Sequence, residues 1–159
     1  MIELRKIAIT DDNMKECVEL EVMPKQRGFV APNLSSLAEA YYENKCGRNA
    51  VPYAIYADNV MVGFIMYGYI KCEDDDTYGE DCYFFWRFMI DKNHQGKGYG
   101  KQAMAQLLDE IKTMPSGAVD YIYTSYEPTN TVAKKLYESF GFVETGQVDD
   151  GELVARLAI

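Results

Sequence analysis

Apolar positions along the chain follow two periods, one typical of β-strands and the other typical of helices. Runs rich in β-branched and aromatic residues predict strands over 2–5, 53–57, 62–70, 83–90, 121–125, 142–145 and 153–158. Apolar residues at helical spacing predict helices over 14–20, 101–111 and 130–140, and a further helix that ends near Tyr42. Strands and helices alternate without an internal repeat or a linker, which predicts one mixed α/β layer structure.

Residues with capping and turn propensity mark the boundaries of these elements. The segment Thr10-Asp11-Asp12-Asn13 offers capping side chains before the first helix, and Ser35 or Ser36 is expected to cap the second. The remaining boundary signals are the turn Asp58-Asn59, the helix-ending Gly141 and the turn Asp149-Asp150-Gly151.

The charge of the chain narrows its range of partners. Twenty-five acidic residues against 16 basic residues give a formal net charge of −9. This charge repels phosphates, and no basic stripe is present, so we expect no nucleic acid partner. An acidic surface attracts cationic small molecules, although composition alone favours a role in solubility. The acidic stretch over 73–81 is predicted to be a mobile, exposed loop.

The chain lacks the sequence features of membrane and metal proteins. No run approaches the roughly 20 apolar residues of a membrane helix, and residues 1–10 are charged and strand-like rather than a signal peptide. We therefore expect a soluble cytoplasmic protein with no membrane partner. The four cysteines form no CxxC pair, and His94, the one histidine, is expected to be exposed. No metal site is predicted, and the cysteines are expected to be thiols.

A glycine-rich segment over 90–101 joins a predicted buried strand to an amphipathic helix. Gly96, Gly98 and Gly100 would let the backbone approach a ligand closely, and the N–H groups of the helix start suit a diphosphate. Lys97 and Lys101 add positive charge. An ordinary turn is the alternative interpretation. The spacing is GxGxG, which fits neither the GxGxxG dinucleotide motif nor the phosphate-binding P-loop.

Two motifs resemble those of the GCN5-related N-acetyltransferase family. The first is Gln-x-x-Gly-x-Gly at Gln95, Gly98 and Gly100, in the loop that cradles the coenzyme A diphosphate in that family. The second has the order and spacing of the family's last helix and comprises Asn130, Ala133, Leu136-Tyr137-Glu138 and Gly141-Phe142.

A narrower similarity, to bacterial polyamine N-acetyltransferases of the spermine/spermidine type, lies in the segments 29–33, 36–40 and 85–90. The resemblance implies an α/β fold of the three-layer α+β kind. Its central mixed, mostly antiparallel sheet would have about six or seven strands, with helices on both faces. Residues 1–159 would form a single N-acetyltransferase domain. The implied reaction moves an acetyl group directly from acetyl-CoA to a primary amine such as spermidine or spermine, without a metal.

The resemblance also implies which residues bind coenzyme A. The backbone of Phe88, Met89 and Ile90 would pair with the pantetheine amides as an added strand does. Asn130 would cap its helix and could also bind the coenzyme. The other implied residues are Gln95, Gly96, Lys97, Gly98, Tyr99, Gly100, Lys101 and Ala133.

Tyr137 is the general acid that the resemblance implies. It lies about two helical turns after Asn130, where its hydroxyl could protonate the departing thiolate. A tyrosine that only packs in the core is the alternative. Glu127 is the candidate base, with solvation of its loop as the alternative. Some relatives carry a glutamate at the position that aligns with Ser125, and a water chain ending near Ser125 or Tyr126 would also serve.

Glu21, Glu39 and Tyr42 lie in elements that form the acceptor wall in relatives. Carboxylates there would pair with the distal ammonium of a polyamine, although a solvated helix face is the alternative for each. Other acceptors stay open: a protein N-terminus, a lysine or an aminoglycoside-like amine. A non-catalytic acyl-CoA-binding module is disfavoured, because it would need no thiolate acid such as Tyr137. The oligomeric state stays open, a homodimer included.

Overall fold

A twisted sheet with helices packed on both of its faces is the centre of the fold. The computed structural model describes residues 1–8, 12–74 and 77–159, so Thr10, Asp11, Asp75 and Asp76 of the predicted cap and acidic stretch lie outside it. The strands within these residues are β1 (Ile2–Lys6), β2 (Asn49–Ala57), β3 (Val60–Ile70), β4 (Cys82–Ile90), β5 (Tyr121–Tyr126), β6 (Val143–Asp149) and β7 (Glu152–Ala158). The helices are α1 (Asn13–Glu19), α2 (Asn33–Lys45), α3 (Tyr99–Ile111) and α4 (Thr131–Glu138), with a 3₁₀ helix at Pro24–Gln26.

The strand order is β1-β2-β3-β4-β5-β7-β6, and each neighbouring pair is antiparallel except β4 with β5. The predicted mixed, mostly antiparallel sheet is therefore confirmed. Asp58 and Asn59 have φ values of 49° and 67°, as expected for the predicted hairpin turn between β2 and β3. Because β7 lies between β5 and β6, the hairpin of β6 and β7 joins the sheet through β7, and β6 is an edge strand.

The two faces of the sheet bury separate hydrophobic clusters. Ile55 of β2 belongs to the core under α3, whereas its neighbour Ala54 belongs to the core that Cys17 of α1 and Ala40 of α2 complete. Successive strand residues point to opposite faces, so one strand serves both cores. The apolar face that α3 contributes comprises Ala103, Met104, Leu107, Leu108 and Ile111, all buried.

The second helix begins earlier than the sequence predicted. Pro32 is its N-cap residue, with φ and ψ of −55° and 143°, and the helix starts at Asn33. Ser35 and Ser36 therefore lie inside the helix, and the prediction that one of them caps it was wrong. The side chain of the buried Asn33 donates to the carbonyl oxygen of Cys17 at 2.8 Å, which fixes α2 to the end of α1.

Side chains anchor parts of two loops. The Tyr123 hydroxyl donates to Glu80 Oε1 at 2.7 Å, and Asp81 accepts from the Tyr69 hydroxyl at 3.0 Å. The end of the acidic stretch is thus tied to the sheet rather than free. His94 is half-buried rather than exposed, because it lies against Asp91.

Candidate active site

β4 and β5 are paired only near their beginnings and then diverge. The last residue pair of their parallel register is Phe84 with Tyr123. The Thr124 hydroxyl then donates to the carbonyl oxygen of Phe85 at 2.9 Å. Beyond this contact no register pair joins the two strands, although both are described in full. One backbone edge of the second half of β4 is therefore open to a ligand.

A β-bulge at Trp86 lies at the same point of β4. The register with β3 skips Trp86 between Phe85 and Arg87, so it is the extra residue of the bulge. A Cβ atom on Gly68 would lie 2.8 Å from the Trp86 ring, so the glycine makes room for the indole. The bulge changes the local twist of β4 where the strands part, and it places Trp86 and Arg87 in the wall of the opening.

A cleft of about 970 Å³ lies where β4 and β5 diverge. It is lined by the segment 22–32, the end of β4, the loop before α3, the end of β5 with α4, and the β6–β7 turn. This volume is in the range of small-molecule sites. Of the residues predicted from the sequence, it brings together Phe88, Met89, Ile90, Gln95, Gly96, Gly98, Tyr99, Gly100, Lys101, Glu127, Asn130, Ala133 and Tyr137.

The loop before α3 turns on two glycines in the left-handed conformation. Gly96 and Gly98 both have φ of 78°, which side-chain-bearing residues rarely adopt. No atom lies within 4 Å of a Cβ built on either glycine, so the space beside them is open. Gly98 is the N-cap residue of α3, and no side chain caps this end of the helix. The first N–H groups of α3 therefore have no side-chain cap, and the residues of this first turn, Lys101 among them, line the cleft. Lys97 is exposed and is not part of the lining.

Gln95 fixes the position of this loop. Its side-chain amide donates to the carbonyl oxygen of Ile90 and to Gln26 Oε1, both at 2.9 Å. Gln26 donates in return to Gln95 Oε1 at 3.2 Å. The predicted ligand-binding glutamine thus joins the loop to β4 and to the segment between α1 and α2.

Asp91 provides a second anchor for the loop. Its carboxylate accepts from the backbone N–H groups of Glu21 at 3.1 Å and Asn93 at 2.9 Å, and it lies 3.3 Å from His94 Nδ1. Burial, the largest single cause, would raise the pKa of Asp91, but the hydrogen bonds from these two N–H groups and from the His94 and Asn93 side chains together lower it. Asp91 therefore stays ionised as an acceptor that holds the beginning of the loop.

The start of α4 contributes Asn130 and Ala133 to the cleft. Asn130 Oδ1 accepts from the N–H group of Ala133 at 3.2 Å, which confirms the predicted cap. Seven residues on, Tyr137 is 7% exposed and packs edge-on against Phe85 with ring centroids 5.3 Å apart. Tyr137 is thus both a packed core residue and part of the cleft wall.

The surroundings of Tyr137 keep its hydroxyl protonated. Burial raises its pKa well above the ordinary value near 10, the Thr124 side chain lowers it, and the charge of Glu152 raises it further. A phenol in this state holds its proton throughout the neutral range. It can donate that proton to a leaving group that becomes negative in the cleft.

Acidic side chains from two parts of the chain line the cleft opposite the glycine loop. Glu127 follows β5, whereas Asp149, Asp150 and Glu152 come from the β6–β7 turn. The Ser125 hydroxyl donates a short hydrogen bond to Glu152 Oε2. The sequence analysis identified Glu127 but missed the other three. Their only sequence signal was a turn motif, and their place in the cleft depends on β7 pairing with β5.

Tyr126 lines the cleft, and its hydroxyl belongs to a hydrogen-bond network behind α4. Its hydroxyl donates to Glu144 Oε1 at 2.8 Å, and Lys134 binds the same oxygen at 2.7 Å. Burial, then the hydrogen bond to Glu144, raises the pKa of Tyr126. This network joins β5, α4 and β6 and holds the helix that carries Tyr137.

The three residues predicted for the acceptor wall lie outside the cleft lining. Glu39 pairs with Arg87 at 2.8 Å, and Arg87 in turn lines the cleft. Glu21 pairs with Lys92 at 2.7 Å, a contact that lowers the pKa of Glu21. Tyr42 is 63% exposed on α2. Glu39 is therefore linked to the cleft through its ion pair with Arg87. The sequence analysis did not single out Arg87.

Three other kinds of structural feature are absent from the described ranges, 1–8, 12–74 and 77–159. No group of three or more His, Cys, Asp or Glu side chains there is arranged to hold a metal ion. None of the four cysteines forms a disulfide. Among the helices described, none combines the length and apolar character needed to cross a bilayer.

Comparison with known proteins identifies similar chains. A model of the acetyltransferase (GNAT) family matches residues 14–142. The chain is 32% identical over 152 residues to the spermine/spermidine N(1)-acetyltransferase of Bacillus subtilis (strain 168), covering 92% of this chain and 93% of that one. The same values hold for a "Probable spermine N(1)-acetyltransferase" of B. subtilis subsp. natto (strain BEST195). A solved aminoglycoside acetyltransferase, AAC(6')-Ib in complex with coenzyme A, shares the fold with a TM-score of 0.76 at 18% identity, covering 99% and 95% of the two chains.

Proposed function

The chain belongs to the acetyltransferase (GNAT) family, and on that basis we propose that it transfers an acetyl group from acetyl-CoA to a primary amine of a polyamine. One observation carries the proposal. The cleft between β4 and β5 combines an open strand edge, a glycine loop at a helix start and the buried hydroxyl of Tyr137. Each of these features suits one part of the reaction.

The donor side of the cleft matches the parts of acetyl-CoA. Amides of the pantetheine arm would bond to the open backbone edge near Phe88 and Met89. The diphosphate would lie at the N–H groups that begin α3, where the helix dipole and Lys101 favour negative charge. The thioester would then reach the divergence of the strands, beside Tyr137.

The acceptor side supports a cationic amine. Glu127, Asp149, Asp150 and Glu152 give this part of the wall a negative charge. Carboxylates that face a cleft attract ammonium groups, and they hold a second ammonium of the same molecule in place. The curated relatives that are 32% identical are named for spermine and spermidine, which supports the same class of acceptor.

The chemistry needs one base and one acid. The bound ammonium gives up a proton, and the neutral amine attacks the thioester carbonyl to form a C–N bond. The C–S bond then breaks and the thiolate takes the proton of Tyr137. The amide nitrogen releases its second proton, which restores the phenol. The products are an N-acetylated amine, coenzyme A and one proton.

Two further properties belong to the proposal. Residues 1–159 act as one acetyltransferase domain, supported by a sheet whose strands run from Ile2 to Ala158. The enzyme works in the cytoplasm, which the absence of disulfides among its cysteines supports.

The product of the reaction tests the proposed function. The purified protein would be incubated with acetyl-CoA and separately with spermidine, an aminoglycoside and a peptide with a free N-terminus. Mass spectrometry should show one added acetyl group on spermidine. If only the aminoglycoside or only the peptide were acetylated, the acceptor would belong to that class and not to the polyamines. Release of no coenzyme A with any amine, despite binding of acetyl-CoA, would favour a non-catalytic module.

A further inference from the structure

The contact between Ser125 and Glu152 lies in the acceptor half of the cleft. Ser125 follows the divergence of β4 and β5, and the antiparallel ladder sets it opposite Val154 of β7. Glu152 is two residues before Val154, so its side chain points to the same face of the sheet as Ser125. The ladder thus fixes both side chains next to each other, and both line the cleft.

The surroundings of Glu152 differ from those of the carboxylates that pair with a cation. Glu21, Glu39 and Glu144 each pair with a lysine or arginine. The side-chain contact of Glu152 is with a neutral hydroxyl, which donates to it. A carboxylate without a cationic partner can accept a proton, and the serine oxygen keeps lone pairs that can accept an N–H group.

We propose that Ser125 and Glu152 form the proton relay that deprotonates the acceptor amine, with Ser125 touching the ammonium and Glu152 receiving the proton. The inference rests on the proposed function. An ammonium N–H would donate to Ser125 Oγ. As that proton passes to the serine oxygen, the serine's own proton passes to Glu152 Oε2. The result is a neutral amine, an unchanged serine hydroxyl and a protonated Glu152, which later releases its proton to water.

The relay is coupled to the general acid. The negative charge of Glu152 is one of the factors that raise the pKa of Tyr137. When Glu152 takes the amine proton this charge disappears, so the phenol gives up its proton more easily. The acid therefore strengthens after the amine has become a nucleophile, which is the order that the reaction needs.

Glu127 is the rival base, because it also lines the cleft. The two assignments predict different variants to be impaired. If Glu152 is the proton acceptor, Glu152→Gln should lose far more activity than Glu127→Gln. Glu110→Gln is the matched control: Glu110 also accepts from hydroxyls, those of Tyr53 and Tyr67, but it is not part of the cleft lining.

The test compares two amines of different basicity at one pH. Spermidine must be deprotonated by the enzyme, whereas a fluorinated alkylamine of low pKa is already neutral. We expect Glu152→Gln to lower kcat with spermidine by about 10²-fold or more, the usual effect of a lost general base, and to affect the fluorinated amine much less. Ser125→Ala should show the same selectivity, Glu152→Asp should recover part of the rate, and Glu110→Gln should match wild type. Acetyl-CoA affinity should not change.

Three results would contradict the relay or its premise. Wild-type kcat in Glu152→Gln would overturn the relay and leave the proposed function standing. An equal loss with both amines, in a variant that melts at the wild-type temperature, would show that Glu152 has a structural role instead. A wild-type enzyme that acetylates neither amine would overturn the proposed function together with the relay.

Discussion

The Thr124 hydroxyl donates a 2.9 Å hydrogen bond to the carbonyl oxygen of Phe85 at the point where β4 and β5 separate. Both residues are buried. A side chain thus takes the place of the next ladder bond, and the open edge of β4 begins directly after it.

Loss of this contact should destabilise the protein. Thr124→Val keeps the shape of the side chain but leaves the buried Phe85 carbonyl without this donor. We expect the free energy of unfolding to fall by about 1–3 kcal/mol in urea titrations. Thr124→Ser retains the hydroxyl and should lose less. Equal stability of the valine variant and wild type would show that the contact does not hold the divergence.

Gly98 should be needed for acetyl-CoA binding because of its backbone conformation. At φ of 78° an alanine is strained by about 1–2 kcal/mol, although a Cβ there would meet no atom within 4 Å. We expect Gly98→Ala to move the loop and weaken acetyl-CoA binding by about tenfold or more in calorimetry. Gly79 has φ of 73° and the same open surroundings, but it does not line the cleft. Gly79→Ala should share the strain and bind normally. Equal affinities of the two variants would show that the diphosphate does not bind at this loop.

Tyr137→Phe should lower turnover by about 10² to 10⁴-fold, the usual effect of a lost acid catalyst, without weakening acetyl-CoA binding. The phenylalanine keeps the packing against Phe85, so the melting temperature should change little. Because slow product release could hide the effect, single-turnover rates are the measurement. Tyr53→Phe is the control, since it removes a buried hydroxyl that donates to Glu110 on α3, away from the cleft. If Tyr137→Phe reacts as fast as that control, Tyr137 is only a core residue.

The sequence was sufficient to predict the glycine loop and the last helix, because both depend on local features. Gly96 and Gly98 need their conformations whatever packs around them, and Asn130 caps the helix that follows it in the chain. Glu152 could not be found in this way. Its position beside Ser125 depends on β7 pairing with β5, which is a contact between residues distant in sequence.

Buried tyrosines should make the fold sensitive to alkali. Burial, as the largest cause, raises the pKa values of Tyr53, Tyr67, Tyr126 and Tyr137 in the folded protein. In the unfolded chain tyrosine ionises near about pH 10, so above that pH the unfolded state binds fewer protons than the folded state. Their contribution to stability is therefore complete below about pH 10 and is lost as the pH rises further.

Unfolding free energies measured in urea between about pH 8 and pH 11 should show this loss. Tyr67→Phe removes one such group and should reduce the alkaline slope. The same slope in the variant and in wild type would mean that Tyr67 ionises in the folded protein as readily as in the unfolded chain.

The central claim, acetyl transfer to a polycationic amine held by the acidic side of the cleft, is tested most directly by specificity constants. The measurement is kcat/KM for spermidine and for a monoamine of similar length with a neutral tail, at low and high salt. We predict a higher kcat/KM for spermidine, and a preference that weakens as salt screens the carboxylates. Equal constants for the two amines at low salt would contradict the account.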